Sequence, residues 1–139
     1  MADPFDLERF VGAQVPLYDE VRRELEVGRK QSHWMWFIFP QFAGLGQSPM
    51  SIRFAIASLN EAKAYLAHPV LGQRLRECAR LTLDVEGRSA REIFGPVDEM
   101  KFRSSMTLFA WAAPDEDLFQ RCLDKYFAGS PDPGTLARL

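Results

Sequence analysis

Two stretches of this 139-residue chain hold side chains that could bind or transform a ligand. The first begins with Ser32 and His33 and continues as an aromatic run through Phe42. A histidine beside tryptophans can act as a general base or as a hydrogen-bond donor to a ligand. In an extended backbone the indoles of Trp34 and Trp36 would share one face, on which a planar ring such as a nucleobase can stack. The alternative is a core role, with the histidine at the edge of the core and one or both indoles inside it.

The residues that follow the aromatic run could complete a binding loop. Gln41 offers an amide donor and acceptor, and Gly44 and Gly46 would let backbone N–H groups approach a ligand closely. A GxG pair with no preceding strand and no GxxxxGK pattern indicates a phosphate only weakly.

The second stretch runs from Asp98 to Thr107 and places charged and hydroxyl side chains inside an otherwise apolar helical pattern. On a helix Lys101 would share one face with Asp98 and with Ser105. Together with Arg103 and Ser104, these residues could bind a phosphate or a carboxylate. The alternative is an intrahelical Asp98–Lys101 ion pair, with the hydroxyls bonded back to the helix.

If the two stretches meet in the fold, they form a pocket suited to a phosphorylated or nucleotide-like small molecule. The protein would then be a ligand-binding or hydrolytic domain, with His33, Asp98 and Lys101 as the catalytic candidates and Lys101 and Arg103 neutralising charge. The ligand-binding candidates are Trp34, Trp36, Gln41, Gly44, Gly46, Arg103, Ser104 and Ser105. We expect no cofactor and no metal, because no cluster of metal ligands is visible.

Two other functions stay open. In one, Phe37, Phe39 and Phe42 present an apolar patch to a protein partner or to a second copy of the chain. In the other, both stretches are structural, and the aromatic run fills the core while the polar cluster satisfies buried backbone.

Composition and charge exclude several function classes. A net charge of −2 argues against a general nucleic-acid binder, which normally carries a clear basic excess. The arginines between residues 74 and 91 alternate with acidic residues and read as a solvated helix face. Cys78 and Cys122 lack metal-site spacing and are expected to be reduced core residues. Because neither a signal-peptide core nor a membrane-spanning apolar stretch is present in the sequence, we expect a cytoplasmic protein.

The patterning predicts a mainly α fold, a compact single-domain bundle of about six to seven helices. Asp3, Ser58 and Ser89 are expected helix caps, and Gly28 is an expected helix end. Residues 51–57 suit one short strand or a helical turn equally well. The span 100–113 is apolar enough to be the central helix. The domain is expected to cover residues 1–128, followed by a loose tail over 129–139.

The chain also resembles the bacterial domain-of-unknown-function family 1810 over roughly residues 5–127. The matching residues are Ser32 through Gln41, Gly44-Leu45-Gly46, Glu61-Ala62, Tyr65-Leu66, His68-Pro69, Leu71-Gly72, Arg74-Leu75, Ile93-Phe94-Gly95, Asp98, Lys101 and Arg103 through Phe109. The resemblance implies a compact, mainly helical domain and no settled activity. Some members are labelled calpastatin, but a calpain inhibitor of that type is disordered and repetitive, which this sequence is not.

Overall fold

A computed structural model describes residues 3–139, so the first two residues of the expected domain lie outside the described part. Within that part the protein is mainly α, as predicted, with more helices than expected. The ten helices are α1 (Glu8–Gln14), α2 (Tyr18–Val27), α3 (Met35–Ile38), α4 (Pro49–Arg53), α5 (Leu59–Ala67), α6 (Leu71–Leu83), α7 (Ala90–Phe94), α8 (Asp98–Ala112), α9 (Leu118–Phe127) and α10 (Pro133–Leu136). Four of them are only four or five residues long, too short for a periodic pattern to reveal.

The central helix is α8, as predicted. Residues 104–109 along it are all buried, and it packs against α5, α7, α9 and α10. Phe102 links it to the aromatic run, because its ring lies 5.0 Å from that of Phe39 in an edge-to-face arrangement and stacks at 4.8 Å on Phe94. Such aromatic pairs contribute roughly 0.5–1.5 kcal/mol each beyond their buried area.

The helix ends expected at Gly28 and Ser89 are confirmed. The Asp3 carboxylate accepts the N–H groups of Leu7 at 2.8 Å and Glu8 at 3.0 Å, but α1 begins at Glu8 and not directly after Asp3. Gly28 ends α2 in the left-handed conformation at φ 81°, and Ser89 forms a reciprocal capping box with Glu92. The Ser58 hydroxyl accepts the Glu61 N–H, as expected of a capping box. The Glu61 carboxylate, however, accepts the N–H of Ala57, the residue before Ser58, and not that of Ser58 itself. That carboxylate also pairs with Arg9 at 2.9 Å, so an expected cap residue here serves as a buried ion-pair partner.

The strand considered for residues 51–57 is absent from the described structure, and the helical turn is present. Ser48 caps α4 by accepting the Ser51 N–H, and Pro49 occupies its first turn. The only trace of extended pairing there is a single parallel bridge between Phe42 and Ile56. A cap followed by proline sets the local structure more strongly than the apolar alternation does.

The C-terminal segment, residues 129–139, differs from the loose tail expected from its sequence. It contains α10, which packs against α8 and buries Asp132 and Thr135. The Asp132 carboxylate caps α10 by accepting the Thr135 N–H at 2.9 Å and the Thr135 hydroxyl at 2.7 Å. The glycine and proline residues of this segment therefore belong to a turn and a short packed helix, and not to a loose tail.

One further feature matches expectation. Cys78 and Cys122 are free and buried. Over residues 3–139, none of the helices has the length and apolar character needed to cross a membrane.

One cap was not expected from sequence. The ring nitrogen Nδ1 of His68 accepts the N–H groups of Val70 at 3.1 Å and Leu71 at 3.2 Å, so an imidazole satisfies the start of α6. Asparagine and aspartate are the side chains that cap helices in the same way.

We expect His68→Ala to lower the free energy of unfolding by about 1 kcal/mol, because two backbone N–H groups lose their acceptor. His68→Asp should retain most of that stability, since its carboxylate can accept the same N–H groups. Urea denaturation of both variants tests the cap. Equal losses in the two variants would contradict it.

Candidate functional site

The two stretches singled out from sequence do meet in the fold. Trp36 on α3 lies beneath Lys101 on α8, whose ammonium nitrogen is 5.1 Å from the centre of an indole ring. An ammonium over an indole face is attracted by the ring quadrupole. We call the group formed by Lys30, Trp36, Asp98 and Lys101 the Trp36–Lys101 cluster.

Two lysines share one carboxylate in this cluster. Asp98 lies 2.9 Å from the Lys30 ammonium and 3.5 Å from that of Lys101. All three side chains are largely covered, with 18% of Asp98, 9% of Lys30 and 20% of Lys101 exposed. The cluster therefore carries one positive charge more than its carboxylate balances. Because the side chains are shielded from water, this charge attracts an anion more strongly than it would on an open surface.

The expected Asp98–Lys101 pair exists, but the closer partner of Asp98 is Lys30. Backbone contact holds Lys30 in place, because its N–H donates to the Ile93 carbonyl at 2.7 Å. Sequence reasoning missed Lys30, which lies outside both stretches and gives no local signal for a partner on α8.

The indole nitrogen of Trp36 is the unusual atom of the cluster. It is buried, and it has no hydrogen-bond acceptor among residues 3–139. Leaving a buried donor unpaired costs roughly 1–3 kcal/mol. The indole N–H can only donate, so the group that would satisfy it is an acceptor.

Trp34 has a different role from Trp36. It is fully buried, and its indole N–H donates at 2.9 Å to the carboxylate of Glu24. The expected shared face for the two indoles is wrong, because the backbone from residue 35 is helical rather than extended. Residues two apart on a helix point about 200° apart, so only Trp36 reaches the boundary of the core.

Glu24 holds the start of the aromatic run in place. Its carboxylate also accepts the N–H groups of Gln31 at 2.7 Å and Ser32 at 2.9 Å, and the Ser32 hydroxyl at 2.6 Å. Burial alone would raise the pKa of Glu24. The four hydrogen bonds outweigh burial and hold the pKa below its ordinary value.

The remaining residues predicted from the first stretch lie outside the Trp36–Lys101 cluster. His33 is exposed, between the Glu24-bound Ser32 and the buried Trp34. The backbone carbonyl of Gln41 accepts the Ile56 N–H at 2.9 Å. The loop glycines pack closely, because a Cβ on Gly44 would lie 3.0 Å from Arg138 and one on Gly46 would lie 2.5 Å from Ser51.

Arg103 and Ser104 hold the C-terminal segment. The Arg103 guanidinium donates to the Ser130 carbonyl and hydroxyl and to the Pro131 carbonyl, at 2.8–3.0 Å. The Ser104 hydroxyl lies 3.0 Å from the Met100 carbonyl and 3.2 Å from the Asp132 carboxylate. These residues therefore already have partners within the chain.

Ser105 is fully buried, and its hydroxyl has no partner in the described residues. Phe37 and Phe39 are also core residues, 4% and 0% exposed, so they do not form the apolar surface patch considered from sequence. Among residues 3–139, no group of three or more histidine, cysteine, aspartate or glutamate side chains is arranged to hold a metal ion.

The fold and the cluster together define a small all-α domain built around two sequence signatures. The chain belongs to the family described as protein of unknown function (DUF1810), whose model matches residues 4–139. It is also similar to the crystal structure of the conserved hypothetical protein Rv1873 from Mycobacterium tuberculosis, with 55% sequence identity and a TM-score of 0.97. That match covers 99% of this chain and 98% of the other. No match was found among curated proteins.

Glu24→Gln should lower the free energy of unfolding at neutral pH by roughly 1–3 kcal/mol, because an amide replaces a carboxylate that receives four donors. The carboxylate contributes stability above its unfolded pKa, about 4.3, and loses it as the pH falls through the lowered folded pKa. The difference between wild type and variant should therefore shrink below about pH 4.

Denaturant titrations from neutral to acidic pH measure this difference. Glu26→Gln is the matched control, because Glu26 is exposed on the same helix and its change should stay within about 0.5 kcal/mol. A Glu24→Gln deficit that is constant across the pH range would contradict a role for the charge.

Proposed function

We propose that this protein binds a small anionic, ring-bearing metabolite, phosphorylated or nucleotide-like, at the Trp36–Lys101 cluster. The observation that carries the proposal is the pairing of a surplus lysine charge with a partly exposed indole. Charge and ring lie 5.1 Å apart, within the span of one small ligand.

The charge supports an anion as the bound group. Lys30 and Lys101 together offer six N–H donors, and Asp98 is the single carboxylate within ion-pair distance of them among the described residues. A phosphate or carboxylate oxygen approaching Lys101 would meet a charge that the protein itself only half neutralises. Hydrogen bonds of this charge-assisted kind are roughly twice as strong as neutral ones.

Trp36 supports a ligand that carries a ring. Its side chain is partly exposed, unlike that of Trp34, and its face already attracts a cation. Base–aromatic stacking contributes roughly 1–3 kcal/mol per base where it occurs.

Binding is better supported than hydrolysis. Asp98 faces two ammonium groups, so its carboxylate positions the lysines, and the Lys101 ammonium is the group available to a ligand. Acid or base catalysis by His33 and Asp98 stays a prediction from sequence. A binding function needs neither.

The test is a thermal-shift and calorimetric comparison of wild type with Lys101→Met, using ADP-ribose, NAD, AMP and ribose 5-phosphate as probes. A probe at about 100 times its dissociation constant should stabilise the wild type by roughly 2.7 kcal/mol. Lys101→Met should lose that shift, because it removes the surplus charge. Lys63→Met is the matched control, since Lys63 is exposed on α5.

Lys101→Met should itself fold with a loss below about 1 kcal/mol, because Lys30 continues to pair with Asp98. A loss of several kcal/mol would show that Lys101 serves the fold. An unchanged shift in Lys101→Met, or no shift from any probe in wild type, would refute the proposed function.

A further inference from the structure

A second polar site lies where α1, α2 and α6 come together. A surface cavity of about 280 Å³ is lined there by Tyr18, Val70, Gln73, Arg74 and Glu77. None of these residues belongs to the Trp36–Lys101 cluster. We propose that this cavity binds a small α-amino acid, with its carboxylate on Arg74 and its ammonium on Glu77.

Arg74 is held in place by a buried amide. Its Nη1 donates to Gln14 Oε1 at 3.3 Å, and its guanidinium lies 4.7 Å from the centre of the Tyr18 ring. Gln14 is 1% exposed, and its Nε2 donates to the Phe37 carbonyl at 2.7 Å and to the Tyr65 hydroxyl at 3.1 Å. The amide is thus fixed by the core and in turn fixes the arginine.

The charge of Arg74 is not neutralised by the protein. Among the described residues no carboxylate lies within ion-pair distance of its guanidinium. Arginine has five N–H donors in a planar fork that matches a carboxylate, and only one is used here. A preorganised arginine with free donors at a cavity wall suits a ligand carboxylate.

Glu77 provides the opposite charge on the same wall. Although it lies three residues after Arg74 on α6, it pairs with Arg22 at 3.3 Å and accepts a hydrogen bond from the Tyr18 hydroxyl. These contacts fix the position of the Glu77 carboxylate. Neighbours at this helical spacing have Cβ atoms about 5–6 Å apart, so one small molecule with both charges can reach both.

Size and chemistry narrow the ligand further. The cavity lies just below the range of roughly 300–1,000 Å³ typical of drug-sized ligands. Val70 and the Tyr18 ring offer apolar contact to a side chain. Behind the cavity wall, the Cys78 thiol donates to the Tyr18 hydroxyl at 3.8 Å. Burial raises the pKa of this thiol to about 12, so it stays protonated and adds no charge to the cavity.

The test is isothermal titration of the full chain with L-leucine, 4-methylpentanoate and isopentylamine, which share one side chain and differ in charge. L-Leucine should bind saturably, and the acid and the amine should each bind at least roughly tenfold more weakly. If either single-charge compound binds as well as leucine, or leucine gives no saturable signal, the amino-acid assignment is wrong.

Variants locate the site. Arg74→Met should weaken leucine binding by roughly tenfold or more, and Arg74→Lys should also weaken it because the fork is lost. Arg80→Met, an exposed arginine on the same helix, is the matched control and should leave binding unchanged. Equal leucine affinity in Arg74→Lys, Arg74→Met and wild type would overturn the proposal.

The proposed amino-acid site is independent of the proposed function at the Trp36–Lys101 cluster. Lys101→Met should leave leucine binding unchanged, and Arg74→Lys should leave the nucleotide-type shift unchanged. Failure of one site therefore does not imply failure of the other.

Discussion

The buried carboxylate of Glu24 is the interaction on which the rest of the structure depends. Burying a charge is costly unless it is fully hydrogen-bonded, and here four donors from Gln31, Ser32 and Trp34 meet one carboxylate. Those bonds fix the chain between α2 and α3, and therefore where the aromatic run enters the core. Trp34 is drawn inward, and the helical turn that follows carries Trp36 to the boundary under Lys101. The geometry of the cluster is thus set on α2, outside the cluster itself.

Local signals in the sequence were enough to predict much of the fold. The caps at Ser58 and Ser89 and the helix end at Gly28 are each encoded within three or four residues, so no tertiary contact is needed to recognise them. The central helix was predictable because its apolar residues cover nearly its whole circumference. The backbone conformation of the aromatic run was harder to predict, because its amino-acid pattern is compatible with both a four-residue helix and an extended segment. Only the tertiary contact with Glu24 decides between them.

Long-range partners were beyond sequence reasoning. Lys30 meets Asp98, Gln14 meets Arg74, and Arg103 meets Ser130, each pair joined by the packing of separate helices or segments. Nothing in the local pattern of one partner specifies the other. For the same reason the C-terminal segment looked like a loose tail, since its apolar content is low and its order comes from polar contacts with α8. The family match reaches residue 139, which includes this segment.

Two groups of polar residues on α8 contact different neighbours, and this difference decides which of them can serve a ligand. Arg103, Ser104 and Thr107 face the C-terminal segment, where the Thr107 hydroxyl also accepts the Asp132 N–H at 2.9 Å. Three neutral oxygens of the C-terminal segment accept from three of the five N–H donors of Arg103, so this guanidinium already serves the chain's own fold. Lys101 instead contacts Trp36 on α3, and Asp98 pairs with Lys30 in the segment before α3, so that two ammonium groups share one carboxylate beside an indole. A helix otherwise buried in apolar contacts thus carries one polar group bonded to the C-terminal segment and one whose positive charge exceeds that of its single carboxylate. Of these two groups, the second is the one at which an added anion would meet positive charge that the protein does not balance.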